Sequence, residues 1–103
     1  MNDYRIDFAL LDWESPFPGV RQKVIAGKGK KLRLVEYTKE MPRHWCMKAH
    51  IGFIIDGRFE IEFQDGVRIF EQGDGLFIPE GEEHRHKARV LTEIVSVVFV
   101  EDI

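Results

Sequence analysis

Asp56-Gly57-Arg58-Phe59-Glu60-Ile61-Glu62-Phe63-Gln64-Asp65-Gly66 is the stretch that decides the fold. From Arg58 to Phe63 charged and apolar residues alternate strictly. At the two-residue period of an extended chain this gathers Phe59, Ile61 and Phe63 on one face and charge on the other, the pattern of a half-buried strand. Asp-Gly stands on both sides, and that dipeptide tolerates the positive φ of tight turns. The spacing therefore predicts a meander of three strands over residues 51–55, 58–63 and 67–71. Working outward, residues 31–38, 76–78, 84–88 and 93–100 carry the Val, Ile, Leu and aromatic content of further strands. Residues 6–13 suit either a strand or a short helix. No long amphipathic helical period exists elsewhere, and Gly and Pro punctuate the apolar runs at short intervals. Many short strands of this kind build an all-β sandwich or barrel.

The chain has 103 residues, one domain's worth, and its 44% hydrophobic content is enough for a core of its own. A net charge of -3 gives no protein-wide positive field for a phosphate backbone, so nucleic acid is not expected as the main partner. Runs such as residues 97–100 fall far short of the roughly 20 apolar residues of a membrane helix, and no membrane span is expected. The opening Met1-Asn2-Asp3-Tyr4-Arg5 shows no secretory leader, which makes the cytoplasm the expected location. Cys46 is the one cysteine, so an intrachain disulfide is impossible and the domain must rely on its core or on a bound ion.

All four histidines fall in two clusters. In His44-Trp45-Cys46-Met47-Lys48-Ala49-His50, His44 and Cys46 are two apart and share a side of any common strand, with His50 near the start of the next apolar run. The second cluster, Gly73-Asp74-Gly75-Leu76-Phe77-Ile78-Pro79-Glu80-Gly81-Glu82-Glu83-His84, resembles the second conserved motif of the cupins without a gap: Gly73, five residues, Pro79, one residue, Gly81, two residues, His84. The first resembles the first cupin motif in spacing. His44 stands at its first His, Cys46 at its second, His50 where Glu is usual, and Gly57 closes it. Thr38 replaces the usual opening Gly, and Ala88 the usual final Asn.

That resemblance implies a single-domain jelly-roll barrel over residues 1–103, with the motifs at about 38–57 and 73–88. It also implies one divalent metal held near the barrel mouth by His44, Cys46, His50 and His84. Imidazole and thiolate suit a transition metal, Fe, Zn, Ni, Mn or Cu, rather than Mg or Ca. Three imidazoles leave the ion's charge uncompensated and favour a small, anionic ligand, with dioxygenase-like or isomerase-like chemistry as the enzymatic version. If Cys46 also coordinates, the site closes and the chain becomes a binding or sensing module; a metal-free barrel is the remaining alternative. Cys46 reads equally as a small buried hydrophobe. His86 shares parity with His84, so that it could replace it or line the cavity, but a surface role is the expected one. Phe53, Phe59, Phe63, Phe70, Phe77 and Phe99 read as core, Trp45 as packing outward, and residues 23–33 as a solvated hairpin. The resemblance further implies a homodimer, to which the run 97–100 would contribute.

Overall fold

The computed structural model describes residues 4–103; residues 1–3, part of the opening stretch read for a leader, lie outside it. Nine strands follow in order among the described residues: β1 (Glu14–Phe17), β2 (Val20–Gly27), β3 (Lys30–Thr38), β4 (His50–Asp56), β5 (Arg58–Phe63), β6 (Gly66–Glu71), β7 (Gly75–Ile78), β8 (Lys87–Val90) and β9 (Ile94–Asp102). All pairings are antiparallel. They form a six-stranded sheet in the order β1-β2-β3-β9-β4-β7 and a three-stranded sheet in the order β6-β5-β8. The all-β fold expected from the alternation, and the barrel implied by the resemblance, are thereby present. No helix among the described residues is long and apolar enough to cross a membrane.

β5 spans the residues whose alternation predicted it, and its inward Phe59 and Ile61 are each 3% exposed. They meet Val35, Ile54, Val95 and Val97, all at 0%, in one core between the sheets. Burying each such side chain contributes about 1.5 to 3 kcal/mol. The solvated hairpin at residues 23–33 is β2 and β3, closed by Lys28 and Gly29 at φ 55 and 78. Paired positive φ values are what a two-residue hairpin of this twist demands.

Three expectations are corrected. The meander does not exist as such: β5 pairs with β6 and β8, whereas β4 pairs with β7 and β9 in the other sheet. Gly57 is a corner at which the chain changes sheet. Its φ is 88, and a Cβ there would lie 2.2 Å from the Ile94 carbonyl oxygen, so glycine is needed for close approach as well as for conformation. Residues 84–88 are not one strand, because Glu82–His84 form a 3-10 turn and β8 starts at Lys87. Of the two readings left open for residues 6–13, the short helix is the one present, as the 3-10 turn Phe8–Leu10 capped by the Asp7 carboxylate. Of the six core phenylalanines, Phe53 and Phe77 point outward, at 49% and 77% exposure.

Candidate metal centre

Three elements converge at one end of the core. Cys46 and His86 form an isolated antiparallel bridge, with Cys46 N–H donating to the His86 carbonyl at 2.8 Å and His86 N–H to the Cys46 carbonyl at 2.9 Å. A pair that exchanges both bonds presents its side chains on the same face. His50 opens β4 beside them. The ligand atoms of Cys46, His50 and His86 all lie within 4.8 Å of one another, and Cys46 Sγ is 3.9 Å from His50 Nε2. One ion bonded at about 2.3 Å to sulfur and about 2.1 Å to nitrogen spans that separation. The two imidazoles meet edge to face, centroids 4.9 Å apart, with Phe99 packed on His50 and Phe63 near His86.

His86 is 5% exposed, the one buried polar side chain among the described residues. Its Nδ1 is 3.0 Å from the His84 carbonyl oxygen, which makes Nδ1 the protonated nitrogen and leaves Nε2 as an acceptor. That Nε2 is buried without a hydrogen-bond partner, an arrangement that costs about 1 to 3 kcal/mol unless something occupies it. Burial, above all, pushes the His86 imidazole below its ordinary pKa; the His84 carbonyl opposes the shift, and His50 and His44 add to it. The neutral form is the one that ligates a metal.

Behind His50 stands Glu101, on β9. Arg33 grips it with two bonds, Nε to Oε1 at 2.8 Å and Nη2 to Oε2 at 2.9 Å, and Lys31 approaches at 3.6 Å. Glu101 Oε2 lies 3.8 Å from His50 Nδ1, too long for a formed hydrogen bond but aimed at the nitrogen that must carry the proton if Nε2 ligates. Burial raises the Glu101 pKa, but His50, Arg33 and Lys31 together outweigh it and hold the carboxyl at about 2. It is therefore a carboxylate at any neutral pH. Sequence reasoning passed over Glu101 and Arg33, although strand parity marks them: with Val95, Val97 and Phe99 inward on β9, Glu101 is inward too.

Of the residues expected from the sequence, Cys46 and His50 are brought together and His44 and His84 are not part of the cluster. His44 is exposed at the rim, edge-on to Phe17 at 6.4 Å. His84 sits on the 3-10 turn, 42% exposed and 3.7 Å from Glu83, and lines a separate depression of about 470 Å³ with Phe63, Arg68 and Phe77. His84, named for its place in the second motif, lies on the turn, and the inward imidazole is two residues later at His86. His86 is thus an interior residue, not the surface residue expected. Trp45 is 42% exposed, with Arg85 and Lys87 over its ring at 5.0 and 4.6 Å.

The cluster opens into a cavity of about 480 Å³ whose walls are mainly apolar, among them Phe17, Met41, Trp45, Phe59 and Ile61. Its polar groups besides the cluster are Arg33, Tyr37, Lys48 and His44. Burial is the first cause that raises the Tyr37 phenol to about 12, so it stays a neutral donor.

The cupin domain model matches residues 33–101, two thirds of the sequence and both histidine clusters. The chain belongs to the cupin family. Among solved structures this cupin is similar to KdgF from Halomonas sp., at 24% identity and a TM-score of 0.70, covering 86% of this chain and 84% of that one. A sugar phosphate isomerase from the cupin superfamily of Silicibacter pomeroyi superposes with a TM-score of 0.74 at 13% identity, covering 96% and 75%. The polyketide cyclase RemF from Streptomyces resistomycificus gives 0.73 at 16%, covering 93% and 76%. At these identities the likeness is one of fold. No curated protein matches the sequence.

Proposed function

We propose that this cupin binds one divalent transition metal through Cys46, His50 and His86, and beside it a small, largely apolar molecule with one anionic group. The observation that carries the reading is the buried, partnerless Nε2 of His86 facing a thiol and a second imidazole nitrogen. One sulfur and two nitrogens suit Zn, Cu, Ni or Fe(II) better than Mn. The three protein ligands leave coordination positions open toward the cavity, as in sites where a metal meets its substrate. There the ion would supply Lewis acidity. Within the chain, Glu101 orients His50, the aromatic walls exclude water, and Tyr37 offers a neutral hydrogen-bond donor. Lys48 and His44 at the cavity give an anionic group its counter-charge and donor. An isomerase-like or dioxygenase-like reaction is the chemistry in keeping with an open site; the cytoplasm is the proposed location.

The test is elemental analysis of protein purified without a metal-affinity tag. We expect near one transition metal per chain, lost in His86→Ala and retained in His84→Ala. The converse pattern, metal lost with His84 and retained without His86, overturns the assignment.

A further inference from the structure

Of the three side chains that converge at the cluster, two are imidazoles and one is a thiol, and the thiol is the group that gives up electrons to a mild oxidant. Cys46 is half-buried in the wall of the cavity of about 480 Å³, so a molecule as small as hydrogen peroxide reaches its sulfur from the cavity side. Coordination to a divalent cation keeps such a sulfur as the thiolate, the form that attacks peroxides. No second cysteine exists to close a disulfide on it. An oxidised Cys46 is therefore resolved by a thiol from outside the chain or not at all.

The cluster also holds a place for the oxygen that oxidation adds. Nε2 of His86 is an acceptor, it belongs to a side chain that is 5% exposed, and it has no hydrogen-bond partner among the described residues. The ligand atoms of Cys46, His50 and His86 lie within 4.8 Å of one another, and Sγ is 3.9 Å from His50 Nε2. A hydroxyl set on Sγ within that span comes into hydrogen-bond reach of an imidazole nitrogen. Two states thus satisfy the orphaned acceptor: an ion shared by three ligands, or a sulfenic acid donating to His86. They exclude each other, because a neutral sulfenic acid lacks the charge with which a thiolate holds a cation.

We propose that Cys46 is a peroxide-modified site whose reversible oxidation releases the metal. This regulation rests on the metal site proposed above. The thiolate sulfur attacks one peroxide oxygen: an S–O bond forms, the O–O bond breaks, sulfur loses two electrons, and the other oxygen leaves as hydroxide. Two imidazoles are then left as ligands. Losing a ligand outright costs more than the about 10- to 100-fold in affinity that follows from losing a ligand's supporting partner. Recovery takes a small external thiol. It condenses with the sulfenic acid to a mixed disulfide with loss of water, and a second equivalent removes the first as its own disulfide and returns Cys46 as a thiol.

The zinc-loaded chain tests this, because zinc has no redox chemistry of its own and the electrons must come from the protein. Hydrogen peroxide is added, released zinc is read with a colorimetric chelator, and peptide mass spectrometry with a dione that traps sulfenic acids reads Cys46. Release should rise in step with modification of Cys46, approach one zinc per chain, and be reversed by glutathione once peroxide is removed. The oxidised chain should bind zinc more weakly by upwards of about 100-fold. Met47, 55% exposed at the same cavity, is the competing sulfur, and Met47→Leu should leave the release unchanged. Zinc retained by chains whose Cys46 is modified, zinc released while Cys46 stays a thiol, release abolished by Met47→Leu, or release that no thiol reverses would each overturn the proposal and leave the metal site standing. A chain that never binds a transition metal overturns both.

Discussion

Glu101→Gln separates a metal centre from a mere polar pocket. The amide keeps the shape of the carboxyl but can no longer accept both Arg33 bonds, and it loses the charge that faces His50 Nδ1. If Nε2 of His50 is a ligand, its Nδ1 carries the proton, and the carboxylate is what orients the ring and raises its basicity. Removing such a partner weakens metal binding by about 10- to 100-fold, or roughly 1.4 to 2.7 kcal/mol. Folding is affected separately. A carboxyl held at about 2 against an ordinary 4.5 is a stabilising group at and above pH 4.5, and its contribution is lost as pH falls toward 2. Taken whole, the difference is worth about 3 kcal/mol. Lys31 is 36% exposed and part of the field is screened by solvent, so about 1 to 2 kcal/mol is the working figure. The assay is a chelator competition for affinity beside urea unfolding of the metal-free chain at pH 7 and at pH 3. Affinity should fall as stated, and the stability deficit of the variant should shrink at the lower pH. A stability deficit of that size with metal affinity unchanged would refute the reasoning, because Glu101 would then serve Arg33 alone.

Two further outcomes are expected. Loading with Co(II) should produce a thiolate-to-metal charge-transfer band in the near ultraviolet that Cys46→Ser abolishes; a Co(II) complex without that band leaves the two histidines as ligands and removes Cys46 from the set. In an alkaline absorbance titration, Tyr37 should ionise only near pH 12, its buried neutral form being favoured below pH 10 and lost as the pH rises through 12; full ionisation of both tyrosines by pH 11 would contradict the buried phenol.

The strands with clean alternation were legible because period and burial agree: β5 ends where its pattern ends, and β3 and β9 fall within a residue or two of theirs. The corner at Gly57 was not. Asp-Gly reports that positive φ is tolerated, and it is equally compatible with a return in the same sheet and a crossing to the other one. β1, with Ser-Pro inside it, and β2, with its charges, carry weak strand signals and are held by pairing rather than propensity. At the candidate site, the motif resemblance pointed to Cys46 and His50, whose side chains lie together in the cluster. It did not point to His86, because motif spacing counts residues while the 3-10 turn at Glu82–His84 resets which of them face inward. Arg33 and Glu101 lie in different strands 68 residues apart, and their pairing is a product of the β3–β9 register.

That register ties the two surfaces of the molecule together. Ile51 pairs with Val100 across β4 and β9, and the next position on each strand holds His50 and Glu101. Alternation sends the first pair outward to an exposed apolar face and the second inward to the cluster. A one-residue slip between these strands would exchange them, putting Ile51 beside Cys46 and carrying a carboxylate and an imidazole onto the apolar face. The core residues Ile54 and Val97, opposite each other at 0% exposure three positions along from Ile51 and Val100, make that slip costly by burying the correct parity. Packing at the centre of the β4–β9 pair is therefore what holds His50 and Glu101 in apposition at its end, and the geometry of the cluster depends on an apolar contact that contains none of its members.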